Sequence, residues 1–162
     1  MHAIVKPWLD LWDYLDGNFW SVCNWAEAAL GPEQLAWQPN PRVASIGWNL
    51  QHLAEMLDHY LTHVFAQGGP RQGAPLATMV PGSLDRGVYR DIAAITAYHR
   101  QVRPAYRHFL LGLSASDFER SLGGGSRWTW SWAIGHIAEH ESYHLGKCML
   151  LRNLIHAPKE SD

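Results

Sequence analysis

The sequence predicts an all-α protein folded as a four-helix bundle. Three observations predict it. Four long segments carry apolar residues at steps of three and four, capping or breaking residues stand at their ends, and no segment alternates apolar and polar residues with period two.

The first helix is expected over 7–30. Trp8, Leu11, Trp12, Leu15, Phe19, Val22, Cys23 and Ala26 form its apolar stripe, Pro7 suits its first turn, and Gly31-Pro32 stops it. The second is expected over 45–67. Ser45 is its N-cap, Ile46, Leu50, Leu53, Leu57, Leu61, Val64 and Phe65 line one side, and Gly68-Gly69-Pro70 ends it. The connection 68–86 holds Pro70, Pro75 and Pro81, and loops of this length often serve as lids. The third helix is expected over 87–113, kinked or split at Pro104. A short polar segment, 114–121, adds a helical turn, and Gly123-Gly124-Gly125 is a break. The fourth helix is expected over 129–155, opening near Thr129 or Ser131.

Composition bounds the function. With 162 residues, 47% hydrophobic and 17% charged, residues 1–162 make one globular domain. A net charge of -2 gives no basic excess for nucleic acid. No stretch reaches the ~18–20 apolar residues of a membrane span, and the N-terminus lacks the apolar region of a signal peptide, so a cytoplasmic protein is expected. Cys23 and Cys148 are distant and form no Cys-x-x-Cys pair, which argues against a disulfide framework or a cysteine zinc site. Cys148 reads as a small buried hydrophobe. Asp10, Asp13, Asp16 and Glu27 on the first helix face Arg86, Arg90, Arg100, Arg103 and Arg107 of the third. These are read as faces that attract each other across the bundle, with an anion-binding rim as the sharper alternative.

The histidines carry the chemical signal. His136, His140 and His144 stand at four-residue spacing on one stripe of the last helix. Neutral imidazole is a common metal ligand. One ion cannot use all three, because eight residues of helix span about 12 Å and metal–nitrogen bonds are about 2 Å. Spacing leaves open His136/His140 or His140/His144. The second helix offers His52, His59 and His63 on one face, with Glu55 and Met56 beside them. His52 has the more apolar setting. Glu55 is the candidate catalytic residue, able to accept a proton; the competing reading is a surface carboxylate. Tyr143, Glu141 and Glu139 are candidates to orient an imidazole. Trp48, Trp128, Trp130 and Trp132 pack at helix starts or wall an apolar pocket.

Two stretches, Ser45-Ile-Gly-Trp-Asn-Leu-Gln-His-Leu-Ala-Glu55 and His136-Ile-Ala-Glu-His-Glu-Ser-Tyr-His-Leu-Gly-Lys147, resemble the motifs of the DinB-like superfamily. The resemblance implies a bundle of that type, with a divalent metal held by His52, His140 and His144. Zinc or nickel are the first choices, iron or manganese the next. It also implies a homodimer and thiol-dependent transferase or isomerase chemistry on a small molecule, with a low-molecular-weight thiol as cosubstrate. A non-catalytic metal- or ligand-binding stress-response bundle is the alternative, and a bundle whose histidines merely pack is a third.

Overall fold

The computed structural model describes residues 3–65, 78, 89–123 and 126–156. Helix α1, Lys6–Ala29, opens with a proline in its first turn and buries Trp12, Leu15, Phe19, Val22, Cys23 and Ala26 of the expected stripe; Leu9, not in that stripe, is buried too, while Trp8 is half-buried and Leu11 exposed. A single turn, α2, Pro32–Leu35, follows at once. Gly31-Pro32 stops one helix but also starts this one, with the Gln34 side chain accepting the Gly31 N–H at 3.0 Å.

Helix α3, Ile46–His59, is capped as expected: Ser45 Oγ accepts from the Trp48 amide at 3.1 Å. It then widens into a π turn, Tyr60–Val64. Thr62 Oγ1 donates to the Asp58 carbonyl at 2.6 Å, taking the acceptor that an α-helical amide would use. Helix α4, Ile92–Leu111, begins later than 87. Residues 89–91 are not helical; Asp91 is extended and caps the Ala94 amide at 3.0 Å. The Tyr89 carbonyl passes so close to the first turn of α3 that a Cβ on Gly47 would lie 2.1 Å from its oxygen. Only glycine permits that crossing.

Pro104 does not split α4. It stands on the exposed face, where water can satisfy the carbonyl one turn earlier, while Arg103 and Tyr106 anchor the buried face on either side. A 3₁₀ turn, Ala115–Glu119, and a lone bridge between Ser121 and Thr129 lead into α5, Trp130–Ile155. Among the described residues there is no other strand pairing, and no helix is long and apolar enough to cross a membrane. The loop 68–86, apart from Thr78, lies outside them, as does Arg86.

The four long helices form a ring of neighbours: α1 packs on α4 and α5, and α3 on the same two. The fold is therefore an all-α bundle, and α3 and α5 share a long interface. The α1 and α4 charges do attract: Arg107 takes Asp13 at 2.7 and 2.9 Å, and Arg103 takes Asp16 at 2.5 Å. Arg103 departs from the expectation of a solvated face. It is 2% exposed and also meets both carboxylate oxygens of Glu141 on α5, at 3.1 and 3.2 Å. Its guanidinium lies over the rings of Phe19 (4.0 Å) and Trp12 (4.6 Å). With Arg90 on Glu33 as well, three of the five arginines are already paired, which leaves them no role as an anion rim.

Candidate metal centre

His52 leaves α3 and His140 and His144 leave α5, and the three imidazoles meet where those helices face each other. One ligand atom from each lies within 4.8 Å of the other two. The Nε2 atoms of His52 and His140 are 3.3 Å apart. Two nitrogens held at about 2.0–2.1 Å by one tetrahedral ion would be about 3.3 Å apart, so this edge already has the size of a coordination edge. The ring centroids are separated by 5.0 Å (His52–His140), 4.8 Å (His52–His144) and 4.4 Å (His140–His144).

Hydrogen bonds set the tautomers. Asn49, fully buried on α3, donates its amide to the carbonyls of Ser45 at 2.7 Å and Ala44 at 3.3 Å. Its oxygen therefore points at His144 Nδ1, 2.6 Å away, and must accept from it. His52 Nδ1 is 3.1 Å from Thr78 Oγ1. That hydroxyl gives its own proton to Glu55, so it accepts from His52. Both rings then carry hydrogen on Nδ1 and a lone pair on Nε2. Neutral imidazoles whose outer nitrogens are tied down are the donor set a divalent ion requires, so the residues present fit such an ion. Trp48 stacks on His52 at 4.6 Å, closing one side.

The other described histidines stay outside this cluster. His136 stacks on Trp132 at 5.1 Å, with Nδ1 3.3 Å from Glu139 Oε2. His59 and His63 stack on each other at 4.9 Å. Glu55 is not a surface carboxylate. It is 4% exposed and accepts from the Thr78 amide at 2.8 Å, the Thr78 hydroxyl, and Gln51 at 2.9 Å. Glu141 orients no imidazole; it holds Arg103. Cys23 and Cys148 are free and buried, and desolvation raises both thiols, Cys23 to about 12. Asn49 and Thr78 are the residues sequence reasoning missed. Asn49 had a faint signal, a polar residue in an apolar run one turn before His52. Thr78, 26 residues downstream in a loop, had none.

Burial is the main cause that pushes all three imidazoles toward the neutral form: His52 to about 3, with His140 and Lys147 adding to it; His140 to about 4, with His136 next; His144 to about 2, with His140 and His52 next. In the unfolded chain a histidine titrates near 6.5. Between those values the unfolded state binds more protons, so stability is fully present above about pH 6.5 and is lost as pH falls toward 4. The metal-free protein should show that decline in thermal midpoint, and a His140→Gln/His144→Gln double variant should show much less of it. A flat profile in the metal-free parent would contradict this burial. The same depression moves acid release of an ion well below the pH of about 6.5 that unperturbed histidines would set.

A family model described as the DinB superfamily matches residues 20–148 of the chain. No curated protein matches it.

Proposed function

The chain belongs to the DinB superfamily, and from that premise we propose that it is a metal-dependent enzyme in which His52, His140 and His144 hold one divalent ion. Zinc or nickel suits three imidazoles first, with iron and manganese as further candidates. The observation that carries this reading is the convergence of the three rings together with the tautomers that Asn49 and Thr78 impose. Hydrogen on both outer nitrogens leaves Nε2 of His52 and of His144 facing one point.

Three neutral protein ligands leave positions free for substrate, which favours a catalytic over a closed structural site. Once bound, such an ion lowers the pKa of a thiol or water and polarises a carbonyl. The reaction this suits best is thiol-dependent transfer or isomerisation of a small molecule. Glu55 works through Thr78: it draws the hydroxyl proton and so keeps the hydroxyl oxygen free to hold His52 in register. Trp48 covers His52 and keeps water from that side of the ring.

The test begins with metal content after purification without a nickel column. The protein is then stripped, reloaded with each candidate ion, and supplied with a low-molecular-weight thiol and a panel of electrophiles. Thiol consumption that returns with one ion and is absent from the stripped protein is the expected result. Tight metal binding without turnover on any electrophile would favour a binding module. No metal affinity at all would end the proposal.

A further inference from the structure

A centre of three neutral imidazoles leaves the charge of its ion uncompensated. The nearby carboxylates are otherwise engaged: Glu55 with Thr78 and Gln51, Glu139 with His136, and Glu141 with Arg103. A further positive group stands on the same stripe. Lys147 follows His144 by three residues and His140 by seven, which puts it on their face of α5. It is half-buried, and its Nζ lies 4.1 Å from the centroid of the Tyr143 ring, itself 5.1 Å from the His144 ring. Its charge acts on all three imidazoles. Among the described residues no carboxylate pairs with it. An ammonium held against an aromatic face beside a centre that would be cationic when loaded, and paired with no carboxylate among the described residues, offers its charge to an incoming anion.

We propose that Lys147 anchors an anionic group of the substrate, so that this site takes small molecules bearing a carboxylate or similar anion close to the atom that meets the ion. The inference rests on the metal reading above and gives it a substrate class. Tyr143, more than half exposed, carries the lysine on its ring and leaves the ammonium hydrogens free for the ligand. Arg103 and Arg107 of α4 are bound to Asp16 and Asp13, and Arg100 lies over the Trp20 ring.

The experiment uses cobalt-loaded protein, whose visible spectrum reports a thiol entering the coordination sphere. Two probes are titrated: mercaptoacetate, with an anionic tail, and 2-mercaptoethanol, with a neutral one. The parent should bind mercaptoacetate about tenfold more tightly, and added salt should shrink the gap. Lys147→Met should remove the preference by weakening mercaptoacetate alone, and Lys147→Arg should keep most of it. The cobalt spectrum before thiol addition, unchanged in both variants, confirms an intact site. Equal affinities in the parent, or a preference that survives Lys147→Met as plain chelation would, overturns the assignment of Lys147 and leaves the metal reading standing. Failure of the parent to bind cobalt overturns both.

Discussion

Replacing His52, His140 or His144 by alanine should abolish binding of a divalent ion. Each supplies one of three converging nitrogens. Removing an outer hydrogen-bond partner of a ligand typically costs about 10–100-fold in metal affinity, and losing the ligand itself should cost more. His136→Ala should have a small effect, because that ring stacks on Trp132 and faces Glu139. His59→Ala and His63→Ala should have almost none. The order of the effects is the measurement: calorimetry or equilibrium dialysis with zinc across the series. A severe His136→Ala beside a mild His144→Ala would move the site one turn up α5. Retention of metal by His52→Ala would remove α3 from it altogether. Asn49→Ala belongs to the intermediate class, since His144 would keep its place on the helix but lose the acceptor that sets its tautomer.

The second large effect concerns stability. Arg103→Met leaves the Glu141 carboxylate buried at 1% exposure without its cation. Breaking a buried pair from one side costs about 3–5 kcal/mol, which for a chain of this size lowers the thermal midpoint by roughly 10 °C. Arg103→Met combined with Glu141→Leu should recover most of the loss, since the one carboxylate then left without Arg103, Asp16, is a third exposed to water. Asp16→Asn should cost much less, because that carboxylate is a third exposed to water. Thermal unfolding of the three variants beside the parent decides the matter. An undiminished loss in the double variant would mean that the site is sensitive to shape and not to charge.

Much of the bundle was legible because its signals are local. The steps of three and four in α1, the Ser45 cap and the Thr129 cap each depend on residues within one turn. The π turn after His59 was not legible, since it depends on whether Thr62 spends its hydroxyl on the Asp58 carbonyl or on water. The late start of α4 was hidden too, because it reflects the passage of Tyr89 over Gly47, a contact between segments 42 residues apart. Arg103 looked like its neighbours Arg100 and Arg107 in sequence. Only the packing of α1 and α5 against α4 makes it the one that is buried. The histidines were half legible. Helical spacing confined the last-helix pair to two choices, and the family motif pointed to His140 and His144. Their partners Asn49 and Thr78 lie on other segments, where no periodicity reaches.

The arrangement of Asn49 and Thr78 has a consequence for the cell. They keep a hydrogen on the outer nitrogen of His144 and of His52, and burial keeps both rings uncharged. A divalent ion arriving here would find lone pairs already in place on both rings, with no proton to expel. If the proposed ion binds here, its occupancy over the mildly acidic to neutral range would be set by how much free metal the surroundings hold. A centre of this kind would follow metal supply, while acidity would act on the metal-free fold, through the same three buried rings.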